Sequence, residues 1–345
     1  MGDRGVRAVC YSEGGCYTGH PWMCTICLPN GDAMLRYASW ARVSCLLLFM
    51  SGVGLIAEVA AQPGELVWVV KRNTGTVAVI DPASARVIEV IDPHRGELAE
   101  KITVGEGGVW ITYFEGHVHR VDPRSYAVVA SLQPASYSSS ISAGNGVVWV
   151  GSGDLGQLTR IDPATNAVVG RIETESAIYD VAMTSGSVWV ATAQGQIHRF
   201  APTASSIATT IDTDGYPNAL AGGADDLWAS DLWAGRVLRV SAGGTVVPIS
   251  VGVQTGEAPG LAVGPGSVWV ATAENNAVIR IDENTNQVLA TIDVGGWVDD
   301  VAVGAGAVWA VLPEDASVVR IDPATNKVTD RVCVDGFPSA IAVGR

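Results

Sequence analysis

Positive charge is in short supply in this 345-residue chain: 21 Lys and Arg stand against 35 Asp and Glu, for a formal net charge of −14. A field of that sign repels phosphate backbones and no basic cluster offsets it, which counts against nucleic acid as a partner. Charge of either sign is thin, at 16% of residues against ~25% in an average soluble domain. With 48% hydrophobic residues, the composition is too apolar for a disordered chain. The 40 glycines never recur at every third position, which excludes a collagen-like helix.

No apolar run reaches the ~20 residues of a membrane-crossing helix. Residues 43–57 (VSCLLLFMSGVGLIA) come nearest, preceded by Arg36 and Arg42 and followed by Val59-Ala60-Ala61. That arrangement is the pattern of a secretory signal cleaved after Ala61. A signal belongs at the extreme N-terminus, so translation is expected to begin at Met34. Residues 1–33 are then a discarded leader, 34–61 the signal peptide and 62–345 the mature, secreted or periplasmic chain, with no membrane contact. The alternative is an N-terminus retained as an anchor. Cysteine is equally sparse: Cys10, Cys16, Cys24, Cys27 and Cys45 precede the cleavage point, and only Cys333 follows it. Cys24 and Cys27 near His20 fall short of the four ligands that structural zinc takes. Cys333 is expected to be a lone thiol, leaving stability to packing.

Helical periodicity is also missing, and what stands in its place is a repeat. Trp68, Trp110, Trp149, Trp189, Trp228, Trp269 and Trp309 are spaced 42, 39, 40, 39, 41 and 40 residues apart. Twelve or thirteen residues after each comes a second station, typified by Ile80-Asp-Pro82, Ile161-Asp-Pro163 and Ile321-Asp-Pro323. Each copy holds four short alternating runs divided by turn residues, the signature of strands. Asp-Pro is a type I turn signal that makes a hairpin of the third and fourth runs, and Gly-Pro-Gly266 and Gly-Ala-Gly306 close the first two. Four-stranded antiparallel blades at this period predict an all-β, seven-bladed β-propeller. The first Trp strand has no inner neighbour ahead of it, while the chain ends on Pro338-Ser-Ala-Ile-Ala-Val-Gly344, an inner strand without its Trp partner. The C-terminal strand is therefore expected to complete the first blade and close the ring.

Segments such as Val67-Trp-Val-Val-Lys-Arg-Asn-Thr-Gly-Thr-Val-Ala-Val-Ile-Asp-Pro82 resemble YVTN-type propeller repeats, and the Gly-x-Val-Trp-Val station is similar to that of streptogramin (virginiamycin B) lyases. The resemblance covers residues 62–345. It implies the fold; the repeat serves binding proteins and enzymes alike. Streptogramin lyases open a cyclic depsipeptide ester by elimination, with a magnesium site and a catalytic His late in the propeller. This chain has no His after His198, so those residues do not carry over.

The seven copies differ from one another mainly in the connections between strands two and three and between blades, which marks that face as the working one. Tyr113, Tyr137, Tyr179, Tyr216, Trp233, Trp297 and Phe337 fall there. Aromatics among carboxylates suit a sugar, a cation or a peptide. On the innermost strands, alternation places Lys101, Asp180 and Asp300 around the channel mouth, with Asn218 nearby. Asp180 and Asp300 are the candidate metal ligands, and Mg²⁺ or Ca²⁺ is the cofactor that an oxygen-rich mouth would take. His119 and His198 share a third-strand station and are expected to be half-exposed scaffold. His94, in a variable inter-blade connection, is the better catalytic candidate. Arginine recurs at the third strand of six copies, too often for catalysis, and a structural role is expected.

The function expected from these residues is an exported, monomeric binding module that recognises a small molecule, glycan or protein through an acidic and aromatic face. The reading from another class is a metal-assisted lyase or lactonase acting at the channel mouth. Sequencing the N-terminus of the exported protein is expected to give Gln62 as the first residue; recovery of residues 1–30 would overturn both the start and the cleavage site.

Overall fold

The computed structural model describes residues 64–94, 96–231, 234–252, 260–273 and 275–345. The leader and signal segments and Trp233 lie outside them. Among the described residues there are 28 strands in seven four-stranded antiparallel sheets, as the repeat predicts. Blade 1 comprises β1 (Leu66–Lys71), β2 (Thr76–Asp81) and β3 (Arg86–Ile91), with an inner strand supplied from the other end of the chain. Blade 2 follows as β4 (Ala99–Gly105), β5 (Gly108–Tyr113), β6 (Val118–Val121) and β7 (Val128–Leu132). Blade 3 contains β8 (Ser140–Gly144), β9 (Val147–Ser152), β10 (Gln157–Asp162) and β11 (Ala167–Glu173). Blade 4 contains β12 (Ile178–Thr184), β13 (Ser187–Thr192), β14 (Gln196–Phe200) and β15 (Thr209–Asp212). Blade 5 is built from β16 (Pro217–Gly222), β17 (Leu227–Asp231), β18 (Arg236–Val240) and β19 (Val246–Ser250). Blade 6 is built from β20 (Leu261–Gly264), β21 (Ser267–Thr272), β22 (Ala277–Asp282) and β23 (Val288–Asp293). Blade 7 ends the series with β24 (Asp300–Gly304), β25 (Ala307–Leu312), β26 (Ser317–Asp322) and β27 (Lys327–Cys333).

The last strand, β28 (Pro338–Gly344), pairs antiparallel with β1, Trp68 opposite Ala342. The inner strands β28, β4, β8, β12, β16, β20 and β24 each pack on the next, and β24 on β28, so the ring is closed. Closure hides the edge that an open sheet would leave for aggregation.

Each blade is organised around one three-residue rung. The small residue of the inner strand stands directly across from the Trp, as Thr103 faces Trp110 and Ala302 faces Trp309. On its other side the Trp faces the recurrent Arg, as in Trp110–Arg120 and Trp269–Arg280. All seven indoles are buried, and each is a large apolar payload of about 150–250 Å². The inner residue is small because the indole opposite occupies the space.

The six arginines lie over the indoles with the guanidinium carbon 5.0–5.9 Å from the ring centroid. The tips of five of them, Arg120, Arg160, Arg199, Arg239 and Arg280, then cross to the next blade. Arg280 donates to Pro323 O at 2.5 Å and Asn326 Oδ1 at 2.8 Å, and to Ser267 Oγ of its own blade at 2.9 Å. Arg120 and Arg239 do the same with Asn166 and Asn286. These asparagines hold positive φ, 54–58°, in the loop after Asp-Pro or Asp-Glu, a conformation that Asn tolerates well. The aspartate of that loop accepts backbone N–H groups, for example Asp282 from Asn284 and Thr285 at 2.9 and 2.8 Å. Blade 1 has Val79 in place of Arg, and there Trp68 meets Tyr126 of blade 2 edge-on at 5.9 Å.

Two expectations need correction. His119 and His198 are buried rather than half-exposed, at 3% and 4%, because their third-strand side chains face the interior between sheets. Cys333 is disulfide-bonded, not a lone thiol; the chain's other cysteines all lie outside the described residues.

Arg280→Met keeps the stem over Trp269 and removes the polar reach. It is expected to lower the unfolding free energy in urea by about 2 kcal/mol, the scale for hydrogen bonds from a charged donor. A variant as stable as the parent would show the inter-blade latch to be idle.

Candidate functional site

The inner strands start irregularly, and that irregularity aims the side chains at the mouth of the ring. The pairing of β4 with β5 shifts register between Ala99 and Ile102, so Glu100 and Lys101 leave the regular alternation. Equivalent bulges occur between Ile178 and Asp180 on β12 and between Pro217 and Ala219 on β16. Bulges re-aim side chains in this way at functional edges. In β4 the freed Lys101 N–H is taken up by Thr112 Oγ1 at 3.1 Å.

A cavity of about 450 Å³ opens at this end. Lys101, Glu100, Asp299, Ser339, Tyr137 and Tyr179 line it, with Arg72 and Asp154 at its rim. Of the sequence candidates, Lys101, Tyr137 and Tyr179 are thus brought together, while Asp180 and Asp300 act on Lys101 from alongside. Each of these two carboxylates staples its blade to the next. Asp180 accepts from Val181 N and Leu220 N at 2.8 Å each, and Asp300 from Val301 N at 2.9 Å and Ile341 N at 3.0 Å. The same station in blade 6 is Gly260, and a Cβ there would collide with the Asp300 carboxylate.

Burial opposes the charge of Lys101, but Asp300, Asp180, Asp299 and Glu100 outweigh it and hold the ammonium above its ordinary value. Burial pushes Asp180 and Asp299 up to about 6 each, with Lys101 opposing the shift and Asp300 adding to it. Asp300 is also raised by burial. Arg72 is tied to Glu100 at 3.0 Å. Ser339 Oγ is buried without a hydrogen-bond partner.

The remaining candidates divide. Tyr113 is not a surface aromatic: it is fully buried, and its hydroxyl donates to Gly75 O at 3.2 Å. It closes β5, where the side chain turns inward against the preceding blade. Tyr216 is exposed and Trp297 and Phe337 are half-buried, all outside the cavity lining. Asn218 is buried and accepts from Ser230 Oγ at 2.9 Å. A larger groove of about 570 Å³, between β19 and the β22–β23 loop, is lined by Val247–Ser250 side chains and Thr285, Asn286, Gln287 and Val288, none of them titratable.

His94 is drawn into a cluster that the sequence does not reveal. Its Nε2 lies 2.9 Å from Glu97 Oε1, and His117 Nδ1 lies 2.7 Å from the same oxygen. His94 Nδ1 shares a hydrogen bond of 2.9 Å with His119 Nε2, whose Nδ1 meets Ser131 Oγ at 2.9 Å. Among the described residues, His94, Glu97 and His117 are the group whose ligand atoms converge, all within 4.8 Å of one another. Asp180 and Asp300 are not so grouped. Burial, then the neighbouring His94 and His117, press His119 down to about 4. The signals for Glu97 and His117 were present, a His-x-x-Glu run and a His-x-His pair, but twenty positions separate Glu97 from His117 along the chain.

No protein-family model matches the sequence, and no curated protein matches it in sequence. Solved structures share the fold. A functionally unknown protein from Desulfotomaculum acetoxidans superposes with a TM-score of 0.69 at 12% identity, over 81% of this chain and 99% of that one. AztD from Citrobacter koseri gives 0.64 at 9% identity, over 81% and 97%. Virginiamycin B lyase from Staphylococcus aureus gives 0.60 at 17% identity, over 68% and 83%. The chain is therefore a seven-bladed propeller with the architecture of the streptogramin lyases, and likeness at these identities extends to the fold alone.

The raised carboxyls give a pH signature. An aspartate titrates near 3.8 when unperturbed, and Asp299 titrates at about 6 in the fold. Between these values the folded state binds the extra proton, so the stability associated with the neutral carboxyl is present below the lower value and lost as pH rises through about 6. Asp299→Asn removes that loss. Its melting temperature relative to the parent is expected to rise between about pH 4.5 and about pH 7.5; a difference independent of pH would show that Asp299 titrates normally.

Proposed function

We propose that this propeller is an exported binding module whose channel mouth takes a small organic cation carrying hydroxyl or amine groups. The observation that carries this reading is the charge imbalance around one cavity. Five carboxylates, Glu100, Asp154, Asp180, Asp299 and Asp300, surround two cations, Arg72 and Lys101. Arg72 is already engaged by Glu100, and Lys101 cannot balance the rest. A bound cation would relieve the carboxylate repulsion that burial intensifies. Tyr137 and Tyr179 offer ring faces of the kind that attract ammonium groups, and the unpartnered Ser339 hydroxyl gives one hydrogen-bonding handle.

The fold supplies rigidity for such a site, since the residues sit at the starts of strands locked to their neighbours. Export rests on the signal-like segment of the sequence. A lyase or lactonase reaction would add a metal at Asp180 and Asp300, whose four oxygens already accept backbone N–H groups.

Thermal unfolding with spermidine as probe tests the reading. A concentration-dependent rise in melting temperature is expected for the parent and should be lost in Asp154→Asn/Asp299→Asn. No rise at any concentration would overturn it. A rise with Mg²⁺ or Ca²⁺ alone, abolished by Asp180→Asn and Asp300→Asn, would replace it with the metal-assisted reading.

A further inference from the structure

We infer that His94, Glu97 and His117 form a binding site for a late first-row transition-metal ion, Zn²⁺ by its donor set, at the junction of blades 1 and 2. This site is separate from the channel mouth and does not depend on the function proposed for it. Two imidazoles and one carboxylate are a donor set that suits zinc and its neighbours rather than Mg²⁺ or Ca²⁺, which take oxygen.

The geometry fits with a small adjustment. Ligand bonds of about 2.0–2.2 Å at tetrahedral angles separate the ligand atoms by about 3.4 Å. Glu97 now stands 2.9 and 2.7 Å from the two histidine nitrogens. An opening of about half an ångström on each side admits the ion. Glu97 is 9% exposed, with His94 and His117 at 30% and 25%, so the carboxylate is held in place while the outer side stays open to water. Three protein ligands with an open fourth position describe an exchangeable or reactive ion rather than a closed structural one.

The second layer of contacts argues for the same ligand atoms. With no ion, His94 Nε2–H donates to Glu97, and His94 Nδ1 accepts from His119 Nε2–H. An ion on His94 Nε2 requires the other tautomer. His94 Nδ1–H then donates to His119 Nε2, and His119 Nδ1–H donates to Ser131 Oγ, which is solvent-exposed and exchanges the proton with water. The proton displaced from His94 Nε2 leaves to water, His119 Nε2 passes its proton to His94 Nδ1, and His119 Nδ1 takes one from water through Ser131, so each of the two rings keeps one proton. A ligating His whose other nitrogen is held by a hydrogen-bond partner is the usual arrangement around protein-bound metals. The ring of Tyr113 closes the inner side, 5.7 Å from His94 and 5.2 Å from His119 by centroid. His119 is thus a positioning residue that acts through His94.

The test uses the full chain, stripped with chelator and titrated with Zn²⁺ alone, then with Co²⁺ as a spectroscopic stand-in. The parent is expected to take up one more equivalent of zinc than the Glu97→Gln/His117→Gln variant. Its cobalt spectrum should show d–d bands of nitrogen and oxygen ligands without thiolate charge transfer, which separates this site from the N-terminal cysteines. His94→Gln alone should weaken zinc by about tenfold or more. His119→Phe keeps the ring but removes the acceptor, and the pH at which zinc is half-released should move upward. Equal zinc uptake by parent and double variant, or cobalt bound through sulfur only, would overturn the inference. If a variant melts early in chelator, the parent's cobalt spectrum decides the matter by itself.

Discussion

Everything in this molecule hangs on a tryptophan with an arginine laid across it. Within a blade the pair fills the space between the inner and third strands. Between blades the guanidinium reaches the next Asp-Pro loop, and so couples the packing of one sheet to the turn geometry of its neighbour. The half-buried guanidinium is compensated on two sides: the indole face takes the cation, and carbonyl and amide oxygens take N–H groups of the tip. The two small deviations are informative. Where Val79 replaces the arginine, Tyr126 comes in from blade 2 to meet Trp68. At the last junction Arg320 stays over Trp309 and lies 3.6 Å from Asp330 of its own blade.

A ring closed in this manner can carry electrostatic tension at its centre. Lys101 and the three neighbouring aspartates crowd at the starts of inner strands whose backbones cannot drift apart, since Asp180 and Asp300 themselves bond the strand of the next blade. Burial raises the carboxyls, and the lysine keeps them from rising further. The tension is local: the bulge on β4 turns Lys101 out of the alternation, while Asp180 and Asp300 hold paired positions on β12 and β24. It leaves carboxylates in excess of cations at the mouth.

The histidine cluster arises from a different feature, the meeting of a blade-to-blade connection with the strand beside it. Glu97 lies between two imidazoles because the chain leaving β3 must pass the start of β6 on its way to β4. The mouth and the cluster therefore draw on separate parts of the same variable face, one on inner-strand starts and one on loops. The two are chemically distinct: several carboxylates with a lysine in one, two imidazoles about a single carboxylate in the other.

The architecture was legible because it is periodic. A Trp every forty residues, the Asp-Pro loops and the unpaired last strand each report a local rule, and the same rule repeated seven times leaves one way to close. Lys101, Tyr137 and Tyr179 line one cavity; loop and strand-start position, read along the chain, put all three at the same end, although the bulge on β4 takes Lys101 out of the alternation. Tyr113 was misplaced because a residue at the end of a strand can turn to either side, and only packing against Gly75 settles which. The His94, Glu97 and His117 cluster and the role of Asp299 belonged to the tertiary structure alone. Their partners lie on different blades or across a bulge, and the distance between such groups is set by how the blades pack, a quantity that no spacing along the chain encodes.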